Sequence, residues 1–466
     1  MEEEFVIYEF GSRYLRAGFA GESAPRCIIQ FSPEESRRAG DFESWLPARA
    51  EGSQRDDGLW AANWELWRND LRGLDLGLVE DKLERVIRKV YTRYFLLDIK
   101  SRKAIAVFPP CLPRPLVEIC LRVLFTGVHQ PPSVVPLSSP MLNTVAAGLR
   151  SALVVDVGWY ETTVTAVFEY REVLQKRTDR AAKMLSCKTL KMLRLSAEKE
   201  AATVRNQGIS FAVVEDVMIR ALWCRFGAQD NSQADTSTDD HTHSESVRVS
   251  HTKTLEVPFS QLAQPAESTF FDVGNSEKSL DDHHLPLHLL AWKCLLALPF
   301  DVRSTCVSRI IVTGGPSHMP GLKSRLIQEI EHLITTRGWD PVMNYGSAPI
   351  TKDKCSTRRN TSIPVRLKPP ELPNDAQNLP TGPAETVGVP ASQLAQENDE
   401  ILERITRNAS KSREVPVPNK NVARGVESLG AWTGASLMAS MRAEGSVEIK
   451  KDDFLKYGMA QVSNFV

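Results

Sequence analysis

Three short turns carry residue types that could hold a phosphate: Glu9-Phe10-Gly11-Ser12, Asp156-Val157-Gly158 and Thr313-Gly314-Gly315. Each ends an apolar run that reads as a β-strand. Glycine lets a backbone amide approach a phosphate with no side chain in the way, and successive amides form an anion-binding concavity. A carboxylate beside such a concavity can hold Mg²⁺ through its water shell, and Asp156 is the candidate. In an α/β sheet, turns at strand ends line the crevice where ligands bind. One strand–turn–strand unit with an acid in each half of the chain suggests duplicated halves clasping a nucleotide. A strand ending in D-x-G is also a common way of reversing the chain, so the set carries the signal and no single member does.

The elements that must position these turns are legible as periodic runs. Residues 5–10 and 14–20 read as two strands around Gly11-Ser12, and 103–108 as a buried strand stopped by Pro109-Pro110. Residues 133–137, 152–157, 162–168 and 309–313 read as further strands. Val79, Leu83, Val86, Ile87, Val90 and Tyr94 recur at helical spacing, predicting a helix over 78–95. Pro115 suits the first turn of a helix that carries Leu116, Ile119, Cys120, Val123 and Leu124. Further helices are expected at 141–149, 213–226, 285–298 and 321–334, and a glycine-containing turn leads into a helix within 431–442.

Composition removes several function classes. The chain has 466 residues, with Lys plus Arg 57, Asp plus Glu 58 and a net charge of −1. No field of one sign is available to capture nucleic acid or an anionic membrane. No run approaches the ~18 apolar residues of a membrane span, so direct membrane insertion is not expected. The opening Met-Glu-Glu-Glu does not resemble a secretory signal, and a cytosolic or nuclear protein is expected. None of the eight cysteines forms a CxxC pair, so buried reduced thiols are expected rather than a metal centre. Six of the nine histidines lie between His241 and His288, at irregular spacing that does not suggest a metal site. Residues 228–251 are polar and read as a surface loop, and 351–420 hold nine prolines and read as a disordered Pro-rich insertion. The sequons at Asn360 and Asn408 are read as incidental.

Residues 9–26 read EFGSRYLRAGFAGESAPR. Ala17-Gly18-Phe19-Ala20-Gly21 and Pro25-Arg26 are letter-for-letter those of the actin family, whose first phosphate-loop hairpin this segment resembles. Residues 153–162 resemble the second phosphate loop. IIVTGGPSHMPG at 310–321 resembles the adenosine-side loop, and GAWTGASLMASM at 430–441 the closing W-x-G-G-S segment. The resemblance covers roughly 1–349 and 427–466. It implies an α/β, actin/Hsp70/sugar-kinase-like bilobed fold, with duplicated lobes around a nucleotide cleft. Residues 1–150 plus 427–466 would form the small lobe, 31–78 being its divergent outer subdomain. Residues 151–349 would form the large lobe, with the polar loop 228–251.

The resemblance assigns nucleotide-binding positions to Glu9, Gly11, Ser12, Arg16, Asp156, Gly158, Gly314 and Gly315, with Asp156 on Mg²⁺ through a bound water. It implies ATP or ADP with Mg²⁺ as the ligand. Departures from the family cluster at the same loops. Glu9 stands for an aspartate, Arg13 for the second glycine and Arg16 for the phosphate-contacting lysine. Trp159 and Tyr160 replace an acid and a glycine. Ser139 and Thr163 align with the groups that position the attacking water, and Met218-Ile219 with the pair that holds the ribose. Phosphoryl transfer depends on positioning and charge stabilisation. No catalytic residue is therefore assigned and hydrolysis is not expected. Nucleotide binding stays open, because the surviving glycines are equally explained by turn geometry.

Within the family the resemblance runs to the divergent subunit at the pointed end of dynactin. That implies a non-catalytic cap on an actin-related filament, in the cytoplasm and cytoskeleton, supporting dynein-driven microtubule transport. Its partners would be the filament subunits and the other pointed-end subunits, with dynein reached indirectly. The alternative is a nuclear subunit of a chromatin-remodelling complex; an active ATPase or sugar kinase is disfavoured by the loop changes. Trp45, Trp60, Trp64 and Trp67 form a cluster that is either an interface or lobe packing.

Overall fold

The apolar run before Gly11 forms strand β1 (Val6–Phe10), and the chain reverses into β2 (Tyr14–Phe19) and then β3 (Cys27–Gln30), an antiparallel meander. Helix α1 (Leu76–Lys89) is capped by the Asp75 carboxylate, which accepts from the Leu78 amide, and buries Val79, Leu83, Val86 and Ile87 along one stripe. Strand β4 (Ala104–Phe108) is buried throughout and runs parallel to β1, as its unbroken apolar sequence requires. Helix α2 (Arg114–Thr126) starts with Pro115 in its first turn and leads to β5 (Ser133–Ser138), parallel to β4. Helix α3 (Ser139–Ala146) follows without a loop. The structure, a computed structural model, describes residues 5–33, 61–95, 102–127, 130–199, 209–227, 244–250, 253–272, 280–339, 422–441 and 447–459.

A second meander repeats the first: β6 (Ala152–Val157), β7 (Thr162–Phe168) and β8 (Arg171–Thr178). Helices α4 (Ala182–Lys199) and α5 (Phe211–Arg220) come next. A two-stranded ribbon pairs β9 (Ser244–Ser250) with β10 (Lys253–Pro258). Helices α6 (Leu287–Leu296) and α7 (Phe300–Val307) precede β11 (Ile310–Gly314), which lies parallel to β6. Helix α8 (Leu322–Arg337) covers that sheet, and β12 (Gly425–Val426) extends it beside β11. Helix α9 (Ala431–Ser440) packs on α3, where Gly434 is needed: a Cβ there would stand 2.1 Å from the Leu142 carbonyl oxygen. Finally β13 (Ile449–Lys450) joins the outer edge of β5, and α10 (Lys451–Tyr457) sets Phe454 against Phe125.

The result is two sheets, ordered β13-β5-β4-β1-β2-β3 and β12-β11-β6-β7-β8, each with its own hydrophobic core. This is the bilobed α/β architecture expected of the actin-like fold. Leu15, Leu83, Leu116 and Phe125 fill the first core, and Leu185, Val214, Leu290 and Leu326 the second.

Two expectations are corrected. The polar stretch 228–251 is not a loop throughout, since Ser244–Ser250 is a strand. Its V-R-V alternation puts Val247 against the second core, and the many serines hid that period from a reading by composition. The helix expected over 213–226 stops at Arg220. Beyond it the chain has no regular structure and is held from α8 and its approach, the Cys224 amide donating to the Pro320 carbonyl at 2.9 Å and the Gly227 amide to Gln328 Oε1 at 2.9 Å. Of the two readings of the tryptophans, Trp64 and Trp67 take lobe packing: Trp67 is buried in the first core, and Trp64 stacks on Phe211 at 5.0 Å between ring centroids. Trp45, Trp60, residues 228–243, the Pro-rich stretch 351–420, the sequons, Cys355, His241, His243 and His251 lie outside the described residues.

Candidate functional site

Strands β1, β6 and β11 end at one crevice between the two sheets. β11 pairs with β6 so that Thr313 faces Asp156 and Gly314 faces Val157, bringing the second and third turns side by side. The crevice has a volume of about 680 Å³, ample for a small ligand. Its walls include all eight residues expected there: Glu9, Gly11, Ser12, Arg16, Asp156, Gly158, Gly314 and Gly315. Ser139, Thr163, Met218 and Ile219 line it as well.

Much of what the turns offer is used internally. The Gly11 amide donates to the Tyr14 carbonyl and the Gly158 amide to the Glu161 carbonyl, each at 3.1 Å. A Cβ on Gly158 would stand 2.7 Å from that same Glu161 oxygen. Gly314 has φ +97°, and a Cβ there would lie 2.2 Å from the Val157 carbonyl oxygen. These glycines are required by the turns themselves. Gly315 differs, because a Cβ there would meet nothing within 4 Å.

The charge at this end is dominated by carboxylates. Arg16 is paired with Glu9 at 2.5 Å, so the cation in the lysine position already has a partner. The Asp156 carboxyl is pushed up to about 6, chiefly by desolvation and next by the Glu9 charge, against which Arg16 pulls only in part. Burial also raises Glu161, with Arg177 opposing it from 3.7 Å. A nucleotide with Mg²⁺ has the room it needs, and Asp156, Ser12 and the open face of Gly315 suit it. The Glu9–Arg16 pair and the extra acid do not suit a triphosphate, which needs unshared cations. Among the described residues no cluster of three His, Cys, Asp or Glu side chains is arranged to hold a metal.

Arg13 does not project into the phosphate turn. Its guanidinium is buried toward the opposite lobe, donating to the Phe31 carbonyl at 3.1 Å, to the Trp64 carbonyl, and to Glu215 Oε1 at 2.5 Å. It lies 4.8 Å from the Phe211 ring centroid and 5.3 Å from that of Trp159. Tyr14 and Gln30 also donate to Glu215, at 3.1 and 2.6 Å. On the other side Glu65 accepts from Trp159 Nε1 at 2.8 Å and from Lys183 Nζ at 3.2 Å, and Lys183 also donates to the Tyr160 hydroxyl at 3.1 Å. Glu65, Lys183 and Glu215 carried no signal in the sequence that set them apart from other charged side chains.

Residues 1–197 match the family model described as Actin. With the two-lobed fold and its cleft, that match supports an actin-related protein. The chain is also 21% identical to Actin-related protein 10 of Dictyostelium discoideum, over 71% of this chain and 74% of that relative. The matched span contains the first two of the three turns. The third, at Thr313-Gly314-Gly315, lies beyond it and is tied to the site by the β6–β11 pairing. No described helix is long and apolar enough to cross a membrane.

Proposed function

We propose that this chain is a non-catalytic, actin-related structural subunit that caps the pointed end of the dynactin filament. Its partners are the actin-related filament subunits and the other pointed-end subunits, with dynein engaged indirectly and the complex acting in the cytoplasm. The observation that carries the non-catalytic part is the lining of the cleft. Ser139 and Thr163, at the positions where the family places its water-positioning groups, are small, and both are buried in the wall. Met218 and Ile219 offer no hydrogen bond to a ribose. Catalysed phosphoryl transfer needs groups that hold water and phosphate in line, and an arrangement that lacks them loses most of its rate. The placement in dynactin is supported by the motif resemblance and by the likeness to an actin-related protein.

Two measurements test this reading. Purified protein with Mg²⁺-ATP should release phosphate no faster than a blank; turnover abolished by Asp156→Asn would refute it. Affinity capture of the tagged chain from cytoplasm should recover dynactin subunits. Recovery of chromatin-remodelling subunits together with nuclear staining would replace the proposal by the nuclear alternative.

A further inference from the structure

A cleft between two lobes has a hinge side and an open side, and a ligand in such a cleft commonly supplies the contacts that hold it closed. Here the hinge side is the α3–α9 seam, where Asn143 Oδ1 accepts from the Thr313 hydroxyl at 3.4 Å and the Ser428 hydroxyl donates to the Asn143 carbonyl at 2.7 Å. The open side is spanned by the chain itself. Glu215, on α5 of the second lobe, is gripped by three donors of the first lobe: Arg13, Tyr14 and Gln30. Glu65, carried by the first lobe, is gripped by two donors of the second, Trp159 and Lys183. The exchange is reciprocal, one carboxylate from each lobe held by the other lobe's donors.

The surroundings make both contacts durable. The Arg13 side chain is 5% exposed and that of Glu65 6%. Trp64 from the first lobe stacks on Phe211 from the second, and Trp159 meets Phe211 edge-on at 5.9 Å. The Arg13 guanidinium sits over these rings. The Leu66 amide donates to the Ser12 carbonyl at 2.7 Å, tying the Glu65 segment to the first turn. Ion pairs shielded in this way are little screened by salt, and removing one partner strands a desolvated charge.

We infer that the chain bolts its own cleft at Glu215 and Glu65, so that the lobes keep their closed spacing with or without a ligand. A protein that binds across both lobes then meets one shape whatever the nucleotide state. The inference concerns lobe spacing alone and stands whichever complex the chain joins.

The test is an interlobe distance in the full chain. Spin labels are introduced by genetic encoding at Arg72 on the first lobe and Leu195 on the second, both exposed side chains. Pulsed electron paramagnetic resonance should give one narrow distance distribution in the otherwise native chain, unchanged by millimolar Mg²⁺-ATP or by EDTA. The double variant Glu65→Gln/Glu215→Gln should broaden the distribution and lengthen its mean. A native distance that moves when Mg²⁺-ATP is added or removed overturns the inference, as does a double variant with the native distribution. Should the double variant lose its cooperative melt, the native chain with and without Mg²⁺-ATP still decides, and Glu215→Asp supplies the milder perturbation.

Discussion

Neutralising Asp156 should stabilise the protein, and by an amount that depends on pH. Its carboxyl is raised from 3.8 to about 6 in the folded chain, mainly by desolvation and then by Glu9. A folded-state value above the unfolded one means that the native protein holds this proton more tightly than the unfolded chain does. The corresponding stability is complete below pH 3.8 and is lost as the pH rises through about 6. Converted at 1.36 kcal/mol per pH unit, the full loss is about 3 kcal/mol, an upper bound because cleft water screens the charge. Asp156→Asn removes the titration and keeps the size. Urea unfolding of both proteins should give midpoints that nearly coincide near pH 4. They should separate progressively to pH 7.5 in favour of the variant, with a common slope. Groups that do not interact with Asp156, Glu172 among them, shift both curves alike and cancel in the difference. Parallel curves would refute the reasoning, because they would show that the Asp156 carboxyl is as well solvated in the cleft as in the unfolded chain.

The neighbouring glycines at the third turn should respond oppositely to one added carbon. Gly314→Ala forces a left-handed residue into the Val157 carbonyl and should cost about 3 kcal/mol or prevent folding, whereas Gly315→Ala should stay within about 0.5 kcal/mol in a thermal melt. Trp67→Ala should cost about 3–5 kcal/mol, because the ring is buried in the first core; a loss of partner capture with unchanged stability would instead restore the interface reading. In native protein Cys111, the exposed cysteine among the described residues, should alkylate ahead of Cys27, Cys224 and Cys294, as peptide mass spectrometry can read. Burial holds those three thiols up at about 11, 12 and 12.

Most of the expected cleft residues could be read from the sequence because they sit in or beside a short glycine turn at a strand end, so local chemistry and local structure coincide. The buried strands β4 and β6 were equally plain as apolar runs closed by Pro109-Pro110 and by Asp156-Val157-Gly158. The contacts across the cleft could not be read this way. Arg13 and Glu215 are 202 residues apart, and Lys183 and Glu65 118, and nothing in a lone charged side chain names its partner. Arg13 in particular reads as an obstruction in a phosphate turn until its side chain is seen lying over Phe211. The ribbon strand Ser244–Ser250 was concealed because two valines among serines fall below any compositional threshold, although their spacing is that of a strand.

The strand Ile449–Lys450 pairs with Ser133 and Val134, partners separated by more than three hundred residues of chain. During synthesis, the outer edge of β5 waits, with backbone donors and acceptors unpaired, until more than three hundred further residues have left the ribosome. Such a delay raises contact order and slows folding, and an uncovered edge invites pairing with other chains. The first lobe is therefore finished only after the strands of the second have been made, and removal of residues 447–459, which spares the whole cleft, should yield a chain that depends on chaperones to remain in solution.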